Sequence, residues 1–170
     1  MKQLLYCLLP LLMGLFACNQ PTDSTTNNPE NNNLQEPIVE DNGPVYDSLL
    51  AQELGADDYG MRKYVLAFLK KGPNRPTDPE EAKKLQAAHM ENIGRLAEEG
   101  KLALAGPFLD DGDLRGVYIF AVETIEEAEA LTNTDPAIQA GSLIMELHPW
   151  YGSAGVMRIN SLHNKIVKQK

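Results

Sequence analysis

Residues 79–107 read PEEAKKLQAAHMENIGRLAEEGKLALAGP, and their reading decides the fold. Pro79 suits the first position of a helix, and Thr77 or Asp78 can cap it. Glu80 and Glu81 complement the positive end of the helix dipole. Ala82, Leu85, His89, Ile93 and Leu96 recur at steps of three and four, which places His89 on the inward stripe of the helix. Gly100 ends the helix, because glycine enters the left-handed conformation that closes one at no steric cost. Leu102 to Phe108 follows as a strand containing Gly106-Pro107.

Upstream of this unit, Met61 to Leu69 has strand-prone residues without strict alternation, as in a central strand covered on both sides. Lys70 to Pro76 is a basic loop rich in turn formers. Downstream, Asp110-Asp111-Gly112-Asp113 is a turn, so Arg115 to Val122 returns antiparallel. Thr124 and Glu127 form a capping box for a second helix through Leu131. A loop at residues 133–141 contains Asp135-Pro136, and Ser142 to His148 is a fourth strand with one apolar and one more polar face. The order β-α-β-β-α-β is α+β and ferredoxin-like, with two helices on one face of a four-stranded antiparallel sheet. This domain spans residues 61–152. Apolar residues of both alternation classes in the first and third strands require a cover on the second face too, most simply a second copy of the sheet. Residues 153–170 form a C-terminal extension whose tail suits an edge strand or a segment exchanged with a partner.

The N-terminus addresses location. After Lys2, Leu4 to Phe16 is an apolar run too short to span a bilayer comfortably. It ends in Leu15-Phe16-Ala17-Cys18, which resembles the lipobox of bacterial lipoproteins. The resemblance implies a signal peptide at 1–17 and a lipid on Cys18. The protein would then be anchored in the bacterial cell envelope outside the cytoplasm, in the periplasm or at the cell surface. An ordinary secretory signal followed by an unrelated cysteine is the other reading. Cys7 lies in the discarded segment, so a mature lipoprotein would hold no free thiol or disulfide. Residues 18–43 are rich in Asn, Thr, Pro, Gln and Glu and read as a disordered tether. A flexible chain of that length spans about 25–30 Å. Residues 44–60 form an accessory helix and linker, from the spacing of Tyr46, Leu49, Leu50 and Leu54 before Gly55; an ordered end of the tether is the alternative.

The formal net charge is −9, which opposes nucleic-acid binding and attraction to anionic lipid headgroups. Hydrophobic residues make up 43% of the chain, enough for one packed core. No Walker loop, dinucleotide fingerprint or nucleophile elbow is present, and no cofactor is implied. Metal ligands are not indicated either. The Asp110–Asp113 turn lacks the glutamate a calcium loop needs, and His148 and His163 do not make ligand spacing with His89.

Taken in order, His89, Gly100-Lys101-Leu102, Gly106-Pro107, Asp111-Gly112, Asp135-Pro136 and Pro149-Trp150 resemble the YCII-related (YciI-like) family of dimeric α+β-barrel proteins. The resemblance covers about Arg62 to Tyr151. It implies a homodimer with sheets packed face to face and a pocket near His89 and Asp135. One branch of the family is associated with removing chloride from chlorinated hydroxyhydroquinones, an elimination that needs proton transfer.

His89 is the leading chemical group, since an imidazole exchanges protons near neutrality. Its competing role is a structural histidine bonded to backbone. The resemblance pairs it with Asp135, which otherwise reads as a turn former before proline. Gly106 and Pro107 read as substrate-binding through close backbone approach, or as a strand end. Arg75, with Lys70 and Lys71, reads as an anion-binding group or as part of a solvated loop. Trp150 reads as a packing or dimer-contact aromatic, or as a pocket wall. Together these describe a small lyase- or isomerase-like enzyme acting on a small molecule through His89 and Asp135. The alternatives are a non-catalytic ligand-binding or envelope-associated module, and a purely structural dimer at the membrane.

Overall fold

A computed structural model describes residues 43 and 45–168. The signal segment, Cys18 and nearly all of the polar tether lie outside the described residues. Helix α1 (Ser48–Leu54) precedes β1 (Met61–Lys71), α2 (Pro79–Glu98), β2 (Leu102–Pro107) and β3 (Leu114–Phe120). Then come α3 (Ile125–Thr132), the short α4 (Pro136–Gln139), β4 (Leu143–Ser153), a 3₁₀ turn at Ala154–Arg158, and α5 (Ile159–Ile166). The sheet is antiparallel in the order β2-β3-β1-β4, so the fold is the ferredoxin-like α+β arrangement.

Local chemistry sets the helix ends. Asp78 caps α2 by accepting from the Glu80 N–H at 3.2 Å, and Gly100 closes it at φ 69°. At α3, Thr124 Oγ1 accepts from the Glu127 N–H while the Glu127 carboxylate accepts from the Thr124 N–H, each at 3.2 Å. Val65, Ala67, Leu69, Leu102, Tyr118 and Phe120 turn toward the helices and pack with Leu96 and Ala128 in the main core.

Three elements depart from the sequence reading. The fourth strand does not stop at His148 but continues through Pro149 to Ser153. Proline lacks a donor for a ladder, but β4 is an edge strand, where that loss is tolerated. The loop at 133–141 contains α4, for which Asp135 is the N-cap. The described part of the C-terminal extension is not an edge strand. Over these residues it forms the 3₁₀ turn and α5, and its Val156 and Met157 pack on Tyr64, Ala103 and Ile119 on the second sheet face. Asn160 Nδ2 donates to the Leu102 carbonyl at 2.7 Å and fixes this segment to β2. Helix α1 is capped by Asp47 and has no buried residue; Arg158 meets its Glu53 at 2.9 Å.

Candidate functional site

One stretch of α2, the N-terminus of α4 and the centre of β3 bring three polar side chains into line. Asp135 caps α4, and its Oδ1 accepts from the Ala137 N–H at 2.9 Å. This turns Oδ2 toward α2, where it lies 2.7 Å from His89 Nδ1. Asp135 is 0% exposed and His89 7%. A carboxyl so buried needs its partners, because an unpaired polar group away from water is costly. The donated Nδ1–H fixes the imidazole tautomer and leaves Nε2 as an acceptor. On that side the Tyr118 hydroxyl approaches Nε2 at 3.3 Å, its ring stacked near the imidazole at a 19° interplanar angle. Tyr118 is 2% exposed, and burial, with a smaller contribution from the Asp135 charge, raises its phenol above the usual tyrosine range. It is therefore a neutral hydrogen-bond donor over the physiological range.

His89 and Tyr118 line a cleft of about 300 Å³ between α2 and the end of the sheet. The lining includes the apolar Leu85, Ile93, Ala105 and Leu143 and the cationic Arg75 and Arg115. Ala82, the first residue of the inward stripe, lines this cleft and is exposed. Such an apolar hollow with a few convergent polar groups is the usual form of a small-molecule site.

The structure sorts the residues singled out from the sequence. His89, Arg75, Gly106 and Pro107 all line the cleft, and Asp135 supports it from behind His89. A Cβ at Gly106 would meet nothing within 4 Å, so packing does not require glycine there. The tight position is Gly116 on the facing strand, where a Cβ would come within 2.8 Å of the Gly106 carbonyl oxygen. Lys70 and Lys71 do not join Arg75: Lys70 pairs with Glu146, and Lys71 donates to the Asp111 carbonyl at 3.0 Å. Trp150 is on the far face against Tyr64, with ring centroids 5.5 Å apart, and is not a cleft wall. His148 meets Glu146 at 2.9 Å on that same face.

Tyr118 and Asn92 were missed by sequence reasoning. Tyr118 reads as an ordinary strand aromatic, and only the pairing of Tyr118 with Ala67 and Ala105 reveals that it faces the helices. Asn92 is three residues beyond His89, and that spacing was the available signal. Its Oδ1 accepts from Arg95 at 2.8 Å and from Thr134 at 3.0 Å, which ties α2 to the residue preceding Asp135.

A ferredoxin-like α+β domain with a buried histidine–aspartate pair beside a cleft defines the class of this protein. It belongs to the YCII-related domain family, whose model matches residues 64–151, just over half of the chain. Among curated proteins it is 33% identical over 64 residues to the uncharacterized protein YjpA of Bacillus subtilis (strain 168), covering 38% of this chain and 73% of that protein. Among solved structures it is similar to 5-chloro-2-hydroxyhydroquinone dehydrochlorinase (TftG) from Burkholderia phenoliruptrix AC1100, in complex with 2,5-dihydroxybenzoquinone. That similarity has a TM-score of 0.39 and 23% identity, over 51% of this chain and 92% of the other.

Proposed function

We propose that the cleft is an acid/base site for a small molecule and that the protein is a lyase- or isomerase-type enzyme. The observation that carries this reading is the 2.7 Å contact of His89 Nδ1 with Asp135, which leaves the other ring nitrogen beside the Tyr118 hydroxyl in a cleft both residues line. In this reading His89 Nε2 takes a proton from the substrate, and Asp135 steadies the imidazolium that forms. As Nε2 is protonated, the Tyr118 hydroxyl is released to donate to an oxygen on which negative charge develops. Gly106 and Pro107 shape the wall, and Arg75 contacts the substrate. Acid/base catalysis of this kind contributes on the order of 10²–10⁴-fold.

A thermal-shift ligand screen on the full chain tests the reading, since a ligand that binds only the native state raises apparent stability. Hits are then assayed for turnover with the unaltered protein and with His89→Asn. Loss of turnover in a folded His89→Asn protein supports the assignment; unchanged turnover removes His89 from the chemistry. Binding without turnover is the second reading, favoured by the Tyr118 contact that occupies the Nε2 lone pair.

We further propose that the domain is hung from a bacterial envelope membrane by a lipid on Cys18, through the polar tether, and works as a homodimer. The lipobox-like Leu15-Phe16-Ala17-Cys18 supports the anchor, and the partly open apolar second sheet face supports the dimer. Mass spectrometry of the mature N-terminus decides the first, with Cys18→Ser as control. Sedimentation over a range of concentrations decides the second, and a monomer at every concentration removes it.

A further inference from the structure

The cleft is lined by two arginines whose guanidinium groups make no ion pair among the described residues. We propose that Arg75 and Arg115 form an anion-holding subsite for a small organic carboxylate, whose body lies along the apolar walls and whose reactive atom reaches His89 and Tyr118. This deepens the acid/base reading and rests on it for the role of those last two residues.

The fate of the five arginines makes the case. Arg95 bonds Glu99 at 2.8 Å and Arg158 bonds Glu53 at 2.9 Å. Arg62 lies over the Tyr64 ring and donates to the last turn of α1 at the Leu54 carbonyl. Arg75 and Arg115 make only long contacts to backbone carbonyls, through one nitrogen each. Arg75 Nη1 is 3.5 Å from the Ser142 oxygen, and Arg115 Nη1 is 3.3 Å from those of Asp110 and Gly112. Their remaining donors have no acceptor among the described residues. A planar guanidinium offers a paired fork that matches a carboxylate.

The surroundings keep that charge available. The chain carries 24 acidic residues against 15 Lys and Arg, yet among the described residues no aspartate or glutamate lines the cleft. Asp135 is sealed behind His89 with both oxygens engaged, and Arg115 meets the acidic 110–113 turn through backbone carbonyls. A positive recess in a negative protein concentrates field lines on its mouth.

Backbone irregularities deliver both arginines. Leu69 pairs with Gly116 and Lys70 with Leu114, so Arg115 is the extra residue of a β-bulge, a device that re-aims a side chain. Arg75 follows a loop pressed onto the segment before β4. A Cβ at Gly72 would lie 2.1 Å from the Gly141 oxygen, and the Asn74 N–H donates to that oxygen at 3.0 Å. The walls of Leu69, Leu85 and Ile93 match an apolar body better than a bare inorganic anion.

Benzoate, benzamide and inorganic phosphate, titrated into the full chain at fixed ionic strength and read by calorimetry and thermal shift, test this. Benzoate should bind at roughly millimolar concentration and more tightly than benzamide and phosphate. Arg75→Gln and Arg115→Gln should each weaken benzoate about tenfold, while Arg158→Gln should leave it unchanged. Absence of benzoate binding, equal binding of benzamide, equal binding of phosphate, or unaltered affinity in both cleft-arginine variants overturns the proposal. In His89→Asn the preference for benzoate over benzamide should persist. Persistence with unchanged turnover would sink the acid/base reading while sustaining the anion subsite. Loss of the preference there, with both cleft-arginine variants still selective, would overturn the subsite.

Discussion

The two faces of the sheet are made from alternate residues of the same strands, and they are finished to different degrees. On the helix side, Val65, Ala67 and Phe120 are sealed under α2 and α3, and His89 and Asp135 pair with each other beside the cleft. On the far side, Tyr64, Ala103 and Ile119 are covered by the 3₁₀ turn, while Leu66 and Leu104 are partly buried and Ile144 is 48% exposed. A sheet face can hold chemistry where helices close it. Left partly open, the same kind of surface is available for association.

The largest effect that sharpens this contrast is in the core. Phe120→Ala should cost about 3–5 kcal/mol in urea unfolding, while Phe68→Ala on the far face should cost clearly less. Equal costs at high protein concentration that diverge on dilution would mean that a second copy buries Phe68. Next comes Asp135→Ala, which removes the cap of α4 and the acceptor of His89 together; a loss of about 2–4 kcal/mol is expected. A smaller loss would mean that water entering from the cleft satisfies His89 once the carboxylate is gone. Tyr118→Phe should cost about 0.5–1.5 kcal/mol and alter the ring-nitrogen resonances of His89. Unchanged resonances would deny the hydroxyl contact.

The smallest effect is in acid. Hydrogen bonds from the Thr124 side chain, then from the Glu123 and Thr124 amides, hold the Glu127 carboxylate below its ordinary value of 4.5. A carboxylate depressed in the folded state contributes stability above its unfolded pKa and loses it as pH falls through the lower folded value. Thr124→Ala should therefore lower the melting temperature at neutral pH and flatten its decline as pH falls below the ordinary carboxylate value of 4.5. An unchanged acid limb would assign that decline to other carboxylates.

Most of the fold was legible because its signals are local. The caps at Asp78 and Thr124, the three-four stripe through His89 and the acidic turn at 110–113 each fix an element without reference to the rest. The resemblance read from Arg62 to Tyr151 corresponds to the family match at 64–151. What was illegible depends on neighbours. Pro149 signals the end of a strand unless β4 is known to be an edge. The C-terminal segment looks uncommitted until Val156 and Met157 meet the far face. At the cleft, the sequence offered His89 and Asp135, but which basic groups stay free follows from the pairing of the others, and that is a tertiary fact. Lys70 and Lys71 are taken by Glu146 and the 110–113 turn, while Arg115 arrives through a bulge.

β2 holds a second irregularity, with Leu102 opposite Phe120 and Leu104 opposite Ile119, so Ala103 is the extra residue. That one residue is slack in the ladder. Deleting it would leave Ala105 and Pro107 facing α2 with their partners unchanged, whereas deleting Ala105 or Gly106 would invert the end of the strand. Within β2, a deletion is thus tolerable at Ala103 and disruptive two positions later, where it would shift the residues that wall the cleft.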